Sequence, residues 1–392
     1  MVGFDDGSDT SRTLDGKPVS QINSNLTAHV DVTAAMPLRA NLDLSFRGTQ
    51  KSGDFDVDDK TARKWLLAPN PHGKPNSDLL RPWLNGTAIV KRVPLRWIID
   101  TGTDMTQEQF ALYEGPYFHA ACFVKPQRDK NKREHRRVNW WLHAETCPGM
   151  REALVGKLRF LTTPRVSKFR VFSWEESVVL PDDGIYIFAR DDDYFFGVLH
   201  SRFHEVWARA QGTQVRERES GFRYTPTTCF ETFPFPEPNG QQRIDILAAG
   251  KELNELRENW LNPSEWTTTR ALEFPGSIDG QWSRFVVEPG ERGIGTVRYP
   301  RLEPRDEECA KKLAKRTLTN LYNERPAWLA NAHAKLDAAV AAAYGFDTDL
   351  TNEQILEELL ALNIERADDE RKSTSKQATQ KTSRLKSEHE MI

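Results

Sequence analysis

The sequence predicts an α+β chain, with a mixed-sheet lobe followed by a helical subdomain and a disordered carboxy-terminal tail. Three observations predict it. Short β-rich pieces separated by Gly, Pro, Asn and Asp fill residues 1–238. From Gln241 onward apolar residues recur at steps of three and four. After Arg366 apolar residues nearly vanish, and Ser, Lys, Glu and Gln dominate residues 367–392.

The elements follow in order. Residues 1–60 read as strands and loops. An apolar start at Met1–Phe4 is followed by turns at Asp5–Gly7 and Asp15-Gly16 and by an alternating piece, Val19–Ile22. An opening element with no polar leader is either an ordinary first strand or the continuation of something that precedes it. Thr61–Leu67 is a short helix. Residues 68–78, dense in Pro, Asn and Gly, form a loop and a boundary. Arg81–Val90 and Arg96–Asp100 read as strands, and Thr106–Tyr113 as a helix capped by Thr106. Met150–Lys157 is helical, and Arg159–Thr162, Arg170–Trp174 and Ile185–Ala189 are strand-like. Tyr194–Ala210 has helical spacing. Prolines keep Thr225–Pro238 irregular. Ile244–Leu261, Asp306–Ala343 and Asn352–Arg366 are helices, with residues 262–304 irregular between them. The expected divisions are 1–67, 68–238, 239–366 and 367–392.

Composition excludes several classes. Of 392 residues, 38% are hydrophobic, and no apolar run approaches the ~18 residues of a membrane span. The amino terminus lacks a basic-then-apolar leader. A membrane partner is therefore not expected, and a cytoplasmic location is. The four cysteines, at positions 122, 147, 229 and 309, have no metal-like spacing, which suits free thiols. Net charge is −3, yet Lys125–Arg137 carries seven Lys/Arg against two acids, a local net of +5. Trp140 and Trp141 follow it, and Arg159, Arg165, Lys168 and Arg170 recur nearby. Cations of this kind track phosphate, although a charge run is commonly just solvated surface.

Several motifs carry chemistry only in the right company. Ile98–Thr103 reads IIDTGT, the aspartic-protease pattern, which needs a second carboxylate sharing one proton. With a single such motif, Asp100-Thr101-Gly102 would serve only in a homodimer. Gly293-Ile294-Gly295 precedes no clear helix, unlike a cofactor loop. Asn70-Pro71-His72 approaches the Asn-Pro-Pro-Tyr/Phe loop of amino-methyltransferases but lacks the second Pro and the aromatic ring. His200 and His204 stand at i and i+4, a spacing that suits a structural pair, phosphate contact or a metal. Arg202 between them would repel a cation. Phe203 and Trp207 share one helix face and should be buried together, leaving the imidazoles to the other side.

Nine segments in order carry a family resemblance. They are PNSDLLRPWLNG (75–86), RWIID (96–100), YEGPYFHAACFVKPQR (113–128), WWLH (140–143), LTTPRVSKFRVFSW (161–174), ARDDDYFFGVLHSRFHEVWA (189–208), YTPTTCFETFPFPEP (224–238), LTNLYNERPAWLANAHAKLDAAVAAAYGF (318–346) and ILEELLALNIER (355–366). Over residues 1–366 the chain resembles the target-recognition and carboxy-terminal region of MmeI-like, type IIG restriction–methylation enzymes, which are adenine-specific DNA methyltransferases. The resemblance implies a DNA-recognition lobe at 68–238 and a closing helical segment. It also makes residues 1–67 the end or remnant of a methyltransferase core with its lead-in.

The resemblance implies double-stranded DNA and a methyltransferase catalytic domain or subunit as partners. The family's Gly-rich loop for S-adenosylmethionine and its adenine-holding loop are absent from this sequence. The cofactor is therefore expected on that partner, and neither catalytic nor metal residues are expected here. The expected DNA contacts are Lys125, Arg128, Lys132, Arg133, Arg136, Arg165, Lys168, Arg170, His200, Arg202 and His204. Asn76, Ser77 and Asp78 would orient a strand beside the DNA. Trp97, Trp140, Trp141, Phe203, Trp207, Phe230, Phe233 and Phe235 would form the scaffold. The competing readings are the homodimeric protease and a non-catalytic interaction module.

Overall fold

Asp58 ends a strand and starts a helix, and the first sheet grows around that junction. Its carboxylate accepts from the Thr61 amide and opens the helix Asp59–Leu66. In the computed structural model, which describes residues 11–14, 16–19, 22, 30–214 and 221–389, the strand Asp56–Asp58 pairs antiparallel with Arg96–Ile99. Arg96–Ile99 pairs antiparallel with Leu80–Leu84, and Leu80–Leu84 pairs parallel with Leu180–Pro181. The sheet is thus mixed. The Met1–Phe4 start and the Asp5–Gly7 turn lie outside the described residues. The strand expected over 81–90 stops at Leu84, because the Asn85 side chain caps a new helix, Gly86–Val90.

A second, antiparallel sheet has the order Ser45–Arg47, Ile185–Phe188, Arg159–Pro164, Ser173–Glu176. A small ribbon of Val166–Ser167, Phe222–Arg223 and Thr213–Gln214 extends beside it. The helix expected over 194–210 is two helices, Asp193–His200 and Arg202–Gln211. Ser201 takes extended backbone between them, and its hydroxyl caps the second. Helix Gly240–Leu261 crosses the first of the two at Gly250. A Cβ there would stand 2.7 Å from the Asp193 carbonyl and 3.0 Å from Gly197 Cα.

Residues 262–304 are irregular only in part. Thr267–Ser277 and Ile294–Pro304 form an eleven-residue antiparallel hairpin, with Val286–Val287 on its other edge. Pro275 lies on the edge strand. Pro300 lies where Val286–Val287, paired only to Val297 and Thr296, no longer flanks its strand. Neither ring therefore costs an interior ladder bond. The helix expected over 306–343 is three: Glu307–Leu313, Leu318–Glu324 and Ala327–Tyr344. Thr317 caps the second, and Arg325 in the left-handed region before Pro326 ends it.

Two cores result. One gathers Phe55, Leu80, Trp97, Phe110, Phe160 and Ile187 with Phe274, Trp282 and Val297 of the hairpin region. The expected division at residue 67 falls inside this core, since Val57, Ala62 and Leu66 pack with Leu79 and Trp83. The other gathers Phe172, Phe188, Phe196, Phe203, Trp207, Phe230 and Phe233 with the helices after residue 240. Phe203 and Trp207 are both buried, as the shared face requires. Trp97, Trp140, Phe230 and Phe233 are buried too, while Trp141 and Phe235 are half-buried. The last helix runs Asn352–His389, and Ala367, the first residue of the expected tail, is still buried against the chain.

Candidate nucleic-acid interface

The basic run is helical rather than a loop. Glu114–His119 passes through a wider π-type turn, Ala120–Val124, into Lys125–Asp129, and Glu134–Val138 follows after a short break. Helical spacing sorts its cations by direction. Lys125 is half-exposed and pairs with Asp129 at 2.9 Å. Lys132 and Arg133 are exposed and make no side-chain ion pair among the described residues. Arg137 is exposed, donating to the Asn131 carbonyl at 2.8 Å. Arg136 is largely buried and holds Glu145 at 3.0 Å. Arg128 turns inward, 1% exposed, and donates to the carbonyls of Lys51 and Leu142 at 2.9 and 2.8 Å. It is therefore not the exposed cation expected from the sequence, because its guanidinium lies over the Phe55 ring and ties two loops together.

The second cluster also divides. Arg165 is half-buried, and Lys168 is exposed with its ammonium donating to Asn323 at 2.8 Å. Arg170 is buried over the rings of Tyr224 and Phe222 and donates to Thr163 and Pro164. Burial pushes its pKa down to about 10. Expected as a DNA contact, Arg170 is instead a core cation. Arg223, which the sequence reading passed over, lies in the ribbon with a buried Nε that has no acceptor, as does Arg165.

The histidines correct the expectation most. His204 is 0% exposed; its Nδ1–H donates to the Leu199 carbonyl at 2.9 Å and its Nε2 accepts from the Tyr224 hydroxyl at 3.0 Å. Burial pushes its pKa down to about 3. His200 is buried as well. Its Nδ1–H donates to Phe196 O, and its Nε2 accepts from the Phe172 amide at 3.1 Å and from Arg257 at 2.7 Å. Burial first, then the Arg257 charge, hold it neutral well below 6.5. Neither imidazole is exposed: His200 ends a helix buried on every side from Tyr194 onward, and His204 lies in the buried first turn of the next. Arg202 stays half-exposed, its guanidinium donating to Asn352 at 2.8 Å.

Asn76, Ser77 and Asp78 organise the interior. Asn76 donates to the Trp65 and Ala68 carbonyls, and Ser77 donates to Pro275 O at 2.7 Å. Burial raises the Asp78 carboxyl, which accepts from the Tyr113 hydroxyl. Asp100 of the IIDTGT motif is buried between two guanidiniums. Arg151 binds it through two bonds of 2.9 and 2.8 Å, and Arg81 at 3.2 Å. The two cations outweigh the burial and hold it well below the usual carboxylate range. A carboxylate so neutralised has no proton to share, so the protease arrangement does not fit. Arg81 and Arg151 stand 19 and 51 residues from Asp100, separations with no local signal.

The residues nearest to cofactor or adenine loops are committed elsewhere. The Asn70 amide donates to Lys74 O and Asn76, and its carbonyl accepts from the Glu114 amide. Gly295 pairs with Gly276 inside the long hairpin. Among the described residues no cluster of three His, Cys, Asp or Glu could hold a metal. Nor is any helix there long and apolar enough to cross a membrane.

Comparison with known proteins finds three likenesses. Residues 161–237 match the family described as MmeI, target recognition domain. A segment of 74 residues, 19% of this chain, is 32% identical to DNA methyltransferase A of Bacillus subtilis (strain 168), covering 8% of that protein. The fold over 90% of the chain matches the type IIL restriction–modification enzyme MmeI solved in complex with DNA. That match has a TM-score of 0.62 at 19% identity, and covers 39% of the MmeI chain. The matched residues 161–237 span the second sheet's inner strands, the ribbon, both helices around Ser201 and the proline-rich return. Residues 161–237 thus resemble an MmeI target recognition domain, in a chain that shares the fold of part of MmeI.

Proposed function

We propose that this chain reads duplex DNA sequence for an adenine-specific, S-adenosylmethionine-dependent methyltransferase of the type IIG restriction–modification class. In this reading it works in the cytoplasm beside a catalytic domain or subunit. That partner binds the cofactor and takes the adenine out of the stack, as chemistry on a base inside a duplex requires. The observation that carries the reading is the target recognition match over residues 161–237. The surface cations support it. Lys125, Lys132, Arg133 and Arg137 on one stretch, and Arg165, Lys168 and Arg223 by the ribbon, remain open to phosphate after the buried residues are set aside.

The test is duplex binding by fluorescence anisotropy across about 50 to about 300 mM salt. Each phosphate neutralised contributes about −0.9 to the slope of log affinity against log salt. Replacing Lys132, Arg133 and Arg137 with Ala should flatten the slope by up to about 2.7. Duplex binding without salt dependence, or none at all, would overturn the reading.

A further inference from the structure

We propose that the recess between the Lys125–Val138 stretch and the Leu142–Pro148 segment binds a phosphate group, with Arg128 and Arg136 as its donors. The recess encloses about 360 Å³ and is lined by Thr103, Asn139 and Thr146 besides the two arginines. Arg128 commits only Nη2, which donates to the Lys51 and Leu142 carbonyls and fixes the plane of the guanidinium. Its Nε and Nη1 are buried and have no acceptor. Arg136 uses Nη2 for Glu145 and Gln50, and its Nε is likewise buried without an acceptor.

Three guanidinium nitrogens without an acceptor, on two arginines that line one recess, are unusual, because a buried donor without an acceptor forfeits its hydration for nothing. The charges point the same way. Burial and the neighbouring Arg136 push the Arg128 pKa down to about 10, so two cations face one space with no anion between them. Glu145 is the one acid among the lining residues, and it is already bound to Arg136 at the outer side, 57% exposed. A tetrahedral oxyanion supplies enough acceptors for the four N–H groups of these nitrogens and the hydroxyls of Thr103 and Thr146. Guanidinium forks match its oxygens. Exposed Lys132, Arg133 and Arg137 on the same stretch would draw an anion inward.

The phosphate could be a DNA backbone phosphodiester or a free phosphate. The first source rests on the function proposed above, whereas the recess itself does not.

The experiment is calorimetric titration of the full chain with inorganic phosphate at fixed ionic strength, with acetate as control. Saturable one-site binding is expected, weakened about tenfold or more by Arg136→Gln, since a charge-assisted donor is lost. Glu145→Gln should tighten binding several-fold by freeing Arg136. The first variant replaces a largely buried guanidinium and the second an exposed carboxylate, and unchanged circular dichroism will establish that both fold. No saturable heat, equal binding of acetate, or two variants that match the parent would overturn the proposal and leave a recess holding water only. The titration is then repeated with duplex present. Loss of phosphate binding would identify the backbone as the occupant, and unchanged binding would identify a free phosphate. Phosphate binding in a chain that binds no duplex would sink the DNA reading and leave the site standing.

Discussion

His200→Ala should destabilise the fold severely and leave duplex affinity unchanged. The imidazole is the acceptor for two buried donors, the Phe172 amide at 3.1 Å and Arg257 Nη1 at 2.7 Å. It is also wedged between the rings of Phe172 and Phe196, at centroid distances of 5.3 and 4.1 Å. Alanine removes the acceptor and leaves a ring-sized void. An orphaned amide costs about 1–3 kcal/mol, and an orphaned guanidinium N–H at least as much. Arg257 Nη2 keeps the Phe172 carbonyl at 2.9 Å, so the cation is not wholly released. The sum is about 3–6 kcal/mol, a large share of the ~5–15 kcal/mol that holds a typical domain together. Urea unfolding followed by tryptophan fluorescence will measure it, and anisotropy at a temperature where both proteins are folded will measure binding. A loss under about 1 kcal/mol together with weakened duplex binding would refute the reasoning and return His200 to the DNA surface.

Two further outcomes follow from the buried charges. Asp100→Asn should cost about 3–5 kcal/mol, because it strands the buried guanidiniums of Arg81 and Arg151; a melting temperature equal to the parent's would contradict the ion-pair cage. Stability should also fall on acidification below about pH 6.5, since unfolded histidines take up protons that His143, His204 and His333 refuse down to about 4, 3 and 4. Their folded values lie below the ordinary one, so the stability present above 6.5 is lost as pH falls, at up to about 1.4 kcal/mol per pH unit for each imidazole. Melting curves between about pH 7 and about pH 4 will trace the slope, and His204→Phe should make it shallower.

What the sequence made legible was local. The Thr106 cap, the Phe203–Trp207 face and the strands at 96–99 and 185–188 all follow from neighbours a few residues apart. The imidazoles were misplaced because the helix that ends at His200 is buried all round and one serine ends it before His204. Extending a single 3.6-residue wheel through Ser201 puts His200 and His204 on a common outer face that the folded chain does not have. The hairpin at 267–304 was missed because Pro275, Gly276 and Pro300 read as punctuation. Their tolerance depends on which strand lies alongside, and that is set by the sheet rather than by the residues themselves. Arg128 and Arg170 looked like surface charges for the same reason. Nothing within ten positions announces that Lys51 O, Leu142 O or Tyr224 will be waiting for them.

The hairpin has a consequence for how the protein is made. Phe274, Trp282 and Val297 sit in the core built around Trp97, and the Trp282 indole N–H donates to Leu80 O at 2.9 Å. Ribosomal synthesis delivers the two sheets well before it delivers this cover. At about 5–20 residues per second, the interval from Phe188 to Val297 is roughly 5 to 22 s. For that time the face of Leu80 and Trp97 is emerged and unsealed, and it is during this window that a nascent chain of this kind is most exposed to wrong partners and to chaperone capture.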